Sequence, residues 1–241
     1  MDKFYAAVAG GFFMLLITPM IRPLSNKIEV ISQRIYGINP VSINVERDPS
    51  IIWAGFPNWI GASAWLPSLP DDAPDDPTDW YSWAQKLGGA DAHVTVLKVT
   101  IVSRGISTVV VNPAKVRAES LPIGDPPKGL IATSPVGGAE VDPKRIHVNL
   151  PMGTAIWVNP DGDPIKALSL ALSPGDVEQF HVYAVTQAGR YKWHLELPIL
   201  IDGRREVVKI DDAGQAFITY GMEGFGEYFW HDGAWKSRDA L

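Results

Sequence analysis

The greatest chemical capacity in this chain lies in three places: His194-Leu195-Glu196, the acidic run from Asp71 to Asp79, and the tryptophans Trp53, Trp59 and Trp65. His-x-Glu is one half of the zinc-deaminase signature, whose other half is a downstream cysteine pair. The chain has no cysteine. Deaminase chemistry is therefore excluded, together with disulfides, thiolate nucleophiles and Cys-ligated zinc. On a strand, His194 and Glu196 share the face opposite Trp193 and Leu195, which reads as an exposed polar pair. The other histidines, His93, His147, His181 and His231, fall on separate segments without the close pairing usual for zinc ligands. No metal or other cofactor is expected.

Asp71, Asp72, Asp75, Asp76 and Asp79 would suit a calcium ion by charge. An EF-hand needs acidic ligands at alternate positions, a central glycine and a closing glutamate, and none is in register. The run reads as a solvated, proline-rich loop. Trp53, Trp59 and Trp65 lie among glycines and prolines, where aromatic faces could stack on pyranose rings. The alternative is that their large area anchors core and loops, with each indole N–H finding a backbone acceptor. No Gly-x-Ser-x-Gly elbow, His-Glu-x-x-His or P-loop is present. These readings make a non-enzymatic interaction or sensory module the expected function. A sugar- or glycan-binding module through the three tryptophans is the alternative, and a hydrolase with scattered active-site residues is more remote.

The elements around these residues are strands. With 46% hydrophobic residues, 20 prolines and 22 glycines, the chain is globular with frequent turns. The net charge of −6 and the lack of a Lys/Arg cluster argue against a nucleic-acid partner. Val41–Val45 alternates as a first strand, and Trp80–Leu87 reads as a short helix with Asp79 as N-cap and Gly88-Gly89 as its stop. From His93 the period falls to two. His93–Val102 and Ile106–Val111 read as a hairpin across Ser103-Arg104-Gly105. The clearest strand is Tyr191–Ile201, with Tyr191, Trp193, Leu195, Leu197, Ile199 and Ile201 on one face. Pro198 within it suggests an edge or a bulge. Asp211-Asp212-Ala213-Gly214 and Asp232-Gly233 read as hairpin turns. The expected fold is all-β: an antiparallel, immunoglobulin-like β-sandwich of about seven to ten strands between Val41 and Trp235. It occupies residues 41–241.

Ahead of it, Phe4–Ile21 is an uncharged run. At ~1.5 Å per residue its 18 residues reach about 27 Å, the lower limit for crossing a bilayer. A cleaved signal peptide and a buried core helix are the competing readings, but Thr18-Pro19-Met20-Ile21 is no cleavage site. Length and absence of charge favour a single-pass transmembrane anchor over residues 1–22. In the juxtamembrane segment 23–40, Leu24, Ile28, Ile31 and Ile35 form one helical stripe. That stripe suits packing on the bilayer or on its own domain, or self-association as a short coiled coil.

Residues 80–236 resemble a family of actinobacterial, membrane-associated β-sandwich domains of unknown function. The resemblance rests on Trp80-Tyr81-Ser82-Trp83-Ala84 with Gly89-Ala90, and on Val94, Val96, Val99 and Ile101 ahead of Gly105. It continues through Val182–Thr186, Trp193-His194-Leu195-Glu196-Leu197 and Ile210–Phe217 to Tyr228-Phe229-Trp230 with Trp235. It implies a sandwich placed after membrane spans and carries no catalytic residues over. Relatives often have cysteines before the Trp-x-Leu-Glu-Leu strand, where this chain has Gly189-Arg190-Tyr191-Lys192, so no redox or metal role follows.

Arg22, Lys27 and Arg34 follow the apolar run while only Lys3 and the α-amino group precede it, which places the domain on the cytoplasmic side of the cell membrane. A single cysteine introduced in the Asp161-Gly162 loop should then resist a membrane-impermeant maleimide in intact cells and react after permeabilisation. Labelling before lysis would overturn that orientation.

Overall fold

A computed structural model of the chain describes residues 40–56, 62–104, 107–111, 117–125, 127–134, 144–159, 161–165 and 170–238. The apolar run Phe4–Ile21, the stripe Leu24, Ile28, Ile31 and Ile35, and Trp59 lie outside those residues. Among the described residues no helix is long and apolar enough to cross a membrane.

The smaller of two sheets contains β1 (Val41–Glu46), β4 (Val94–Ser103), β8 (Arg145–Asn149), β9 (Thr154–Val158) and β11 (Val177–Val185), in the order β1-β4-β11-β8-β9. The larger sheet is built around β12 (Arg190–Ile201). One edge of β12 pairs first with β6 (Arg117–Pro122) and then with β5 (Val109–Val111), which also pairs with β10 (Leu170–Leu172). The other edge pairs with β14 (Phe217–Tyr220) and then with β13 (Arg204–Ile210). Beyond β14 the sheet continues through β3 (Ala90–Ala92), β2 (Ser63–Leu66), β7 (Leu130–Thr133), β15 (Glu227–His231) and β16 (Ala234–Ser237).

One core joins the two sheets. Leu97, Val99 and Ile101 of β4 and Phe180 and Val182 of β11 meet Trp193, Leu195, Leu197, Ile199 and Ile201 of β12, all buried. This is a β-sandwich, and the face expected for the best strand is the face it buries. The side chains of β4 alternate between buried and half-buried along all ten residues, as the period of two predicts.

Four expectations are corrected. Sixteen strands occur among the described residues, because three- and four-residue strands such as β2, β3 and β7 are too short to show a period. Three of the fourteen strand pairings are parallel, β8 with β11, β3 with β14 and β7 with β15, although only two short helices are present among the described residues. Ser103-Arg104-Gly105 is not a hairpin: β4 lies in the small sheet and β5 in the large one, so Val109 and Val111 enter the core from the opposite side. Likewise β13 and β14 do not pair with each other but lie end to end along one edge of β12, with a two-residue turn at Ala213-Gly214 between them.

Pro198 falls in a gap along one edge of β12. Its missing N–H falls where the ladder to β6 has ended at Glu196 and the ladder to β5 has yet to begin at Ile199. The β12–β13 hairpin closes through Asp202-Gly203 with φ of 49° and 79°, the double positive φ of a type I′ turn. Asp232-Gly233 makes the expected turn of the same kind between β15 and β16.

The far end of the large sheet extends past the sandwich and is covered otherwise. Helix α2 (Trp80–Lys86) lays Trp80 and Ala84 over Ala64, Leu66, Leu130 and Ala132, with Trp83, Trp230 and Trp235 at the margin; the shorter helix α1 (Pro49–Ile52) contacts β4. The acidic loop is tethered there. Trp230 Nε1 donates to Asp75 at 3.0 Å and Trp235 Nε1 to the Pro70 carbonyl at 2.7 Å. Asp79 makes no cap bond with its side chain; Asp76 instead accepts from the amide and hydroxyl of Thr78, at 2.8 and 2.7 Å.

Leu195 is fully buried at the centre of this core. Leu195→Asp should cost at least about 4 kcal/mol, through a lost apolar side chain and an unpaired buried carboxylate. Thermal melting followed by circular dichroism would check it, and a variant melting like the parent would refute the face assignment.

Candidate functional site

The outer face of β12 is where the chain gathers reactive side chains in the open. The alternation that buries Trp193, Leu195 and Leu197 turns His194, Glu196, Pro198 and Leu200 the other way. Register then sets their neighbours. His194 lies opposite Glu119 of β6, and Glu196 lies between Arg117 of β6 and Lys209 of β13. Pro198 faces Val207, and Leu200 faces Val110 and Arg205.

A groove of about 390 Å³ runs over this surface, with Pro198, Leu200 and Val207 as its apolar part and Arg117, Glu196 and Arg205 among its charged residues. Val207 and Leu121 of β6 are strongly exposed, at 62% and 66%. Such side chains gain most from being covered by a ligand. Beside the groove, His194 Nε2 stands 3.2 Å from Glu119 Oε2, and the ligand atoms of Glu119, His194 and Glu196 all lie within 4.8 Å of one another. Sequence reasoning found His194 and Glu196 but not Glu119, which joins them from 75 residues away through strand register.

The three tryptophans do not assemble into a platform among the described residues. Trp65 is buried in β2 with its ring stacked on Tyr220 at 4.5 Å and 5°, so the loop placement expected for it is corrected. Gly129 lets the chain cross that indole closely; a Cβ there would stand 2.3 Å from Trp65 Nε1. Trp53 lies over the small sheet instead, edge-on to His181 at 4.8 Å.

Two further polar clusters serve the seam between the sheets. Arg47, just after β1, reaches Asp91 of β3 at 3.3 Å and also bonds Asp212, while its guanidinium lies 5.5 Å from the Phe217 ring. Burial works against the Arg47 charge, but Asp91, Tyr81 and Asp212 together outweigh it and raise its pKa. Burial pushes the Asp91 carboxyl up by more than Arg47 and Thr95 draw it down. Tyr81 is pushed up by burial and then by Asp91, which keeps the phenol protonated. Deeper in the core, Trp193 Nε1 donates to Thr219 Oγ1 at 2.9 Å, and that hydroxyl meets Thr95 Oγ1 at 2.6 Å.

Comparison with known proteins adds no relative: no family model matches the chain, and neither a curated protein nor a solved structure does so.

His181, buried on β11 of the small sheet, gives the fold a measurable pH response. Burial, then the charges of Lys98 and Arg145, lowers its pKa to about 4 from the ordinary 6.5. The folded state thus holds the imidazole neutral, and the unfolded chain binds more protons between those values. Stability should therefore fall as pH drops from about 6.5 to about 4, by at most roughly 3 kcal/mol from this group. Urea unfolding across that range should show the loss, and His181→Asn should flatten it; an equally steep profile in the variant would refute the assignment.

Proposed function

We propose that the chain is a membrane-tethered, non-enzymatic interaction module whose groove on the outer face of β12 and β13 receives an extended segment of a protein partner. The observation that carries this reading is the strand at the groove's side. Among the described residues β13 pairs only with β12, which leaves its other edge without a strand. An edge with free backbone groups beside a groove for alternate side chains is the geometry by which sheets bind added strands.

Charge narrows the occupant. Among the charged residues that line the groove, Arg117 and Arg205 balance Glu196 and Glu206, which suits a segment alternating apolar side chains with charges of both signs, its acidic side chains meeting Arg117 and Arg205. A second β13 would set Arg205 against Lys209 in an antiparallel pair centred on Val207, and like charges directly opposite are unfavourable. The tether rests on the uncharged run Phe4–Ile21 and the Lys/Arg count that follows it. An immunoglobulin-like arrangement belongs to the same reading: two facing sheets support it, while the three parallel pairings depart from it. Glycan binding draws less support, because Trp65 spends its ring face on Tyr220.

A photo-crosslinking residue placed at Val207 in the full-length protein should capture one protein partner in its native cells. Arg117→Glu with Arg205→Glu should reduce the adduct about tenfold, equivalent to 1.4 kcal/mol, without changing the melting temperature. An adduct insensitive to these charges, or none at all, would sink the groove as the binding face. Retention on a glycan array lost in Trp53→Ala would favour the sugar-binding alternative.

A further inference from the structure

We propose that Glu119, His194 and Glu196 form a binding site for a divalent transition-metal ion, zinc foremost. The site shares Glu196 with the groove but does not need the partner-binding reading.

Strand geometry supplies the convergence. His194 and Glu196 are two residues apart on β12 and so project from the same face. Glu119 stands directly across the ladder from His194, the position where cross-strand side chains approach most closely. Three potential ligands thus reach one point from two adjacent, hydrogen-bonded strands.

The distances fit an ion of zinc's size. Tetrahedral bonds of about 2.0–2.1 Å place any two ligand atoms about 3.3 Å apart. His194 Nε2 and Glu119 Oε2 are already at 3.2 Å. No pair in the set exceeds 4.8 Å, so closing the triangle needs at most about 1.5 Å of side-chain movement. Because His194 and Glu119 already stand at 3.2 Å, the remaining closure involves Glu196, and the Glu119 side chain, 61% exposed, is free to adjust with it.

Donor type and surrounding charge select the ion. One imidazole and two carboxylates match the nitrogen and oxygen ligands of zinc, whereas calcium takes six to eight oxygens and magnesium retains an oxygen octahedron. Arg117 and Lys209 flank Glu196 on either side, so an ion held by charge alone is repelled. An ion that gains a covalent share from imidazole tolerates them better. Three protein ligands leave one position for water or for a donor atom from a molecule lying in the groove. The competing account is a plain surface contact between His194 and Glu119, weak and indifferent to metal.

The test is Zn²⁺ titration by calorimetry of the full-length chain, purified in detergent and stripped with chelator, with Co²⁺ absorption as a second readout. One Zn²⁺ should bind per chain, Ca²⁺ should not compete, and bound Co²⁺ should develop visible bands of low coordination number. Glu119→Gln and His194→Asn should each weaken binding by at least about tenfold. His231→Ala, which alters an exposed histidine beside Asp232, should leave it unchanged. Because Glu119 is exposed, its variant keeps the test decisive even if the His194 variant fails to fold. Binding untouched by Glu119→Gln, or lost equally in His231→Ala, would overturn the site.

Discussion

The register of β12 is the constraint on which the rest depends. Its twelve residues pair with four other strands, two on each edge, and its inner face supplies Trp193, Leu195, Leu197, Ile199 and Ile201 to the core. A slip of one residue would expose all five and drive His194 and Glu196 inward. Burial of those five side chains, each worth roughly 1.5–3 kcal/mol, therefore also decides which residues the surface presents. The candidate site is the reverse side of the core, held by the same alternation.

What could be read beforehand was whatever is local. The inward face of β12, the alternation of β4, the helix at Trp80 and the turn at Asp232-Gly233 depend on period or on a dipeptide, and each occurs where its residues predict. Pairing is not local. Ser103-Arg104-Gly105 has the composition of a tight turn, yet Val109 and Val111 gain more by joining Ile199–Ile201 across the core than by folding back on β4. Nothing in ten consecutive residues distinguishes a hairpin from a change of sheet. Ala213-Gly214 does form a tight turn, but β12 claims the strands on both sides of it. The site followed the same rule: His194 and Glu196 were visible two apart on one strand, whereas Glu119 is defined as their neighbour only by the β6–β12 register.

Trp65 marks a different limit. Its flanking glycines and prolines suggested a loop, but a four-residue strand between β3 and β7 needs no period to form once two partners are waiting. The same segment shows why aromatic content alone does not indicate ligand binding. Two tryptophans, Trp230 and Trp235, use their indole N–H groups to hold the acidic loop, so a run that looked fully solvated is tied to the sheet.

Polar contacts across the sandwich and at the end of the large sheet hold the outer face of β12 in place. Near one end of the strand, the hydroxyl of Thr219 links Trp193 to Thr95, and so joins the two sheets through a buried bond that only correctly stacked layers can make. At the other end, the Asp202 carboxylate accepts from the Ser107 hydroxyl at 3.0 Å and the Thr108 amide at 3.2 Å, fixing the turn that sets β13 beside β12. Arg47 adds a tie from β1 to Asp91 and Asp212 on the large-sheet side. Between these anchors the backbone from His194 to Leu200 would have little left to order on binding the proposed partner. In the proposed binding mode the entropic cost would then fall on a few exposed side chains, Glu119, Arg205 and Val207 among them, rather than on the chain. The proposed partner could then gain affinity from modest contacts, which is what a groove of about 390 Å³ offers.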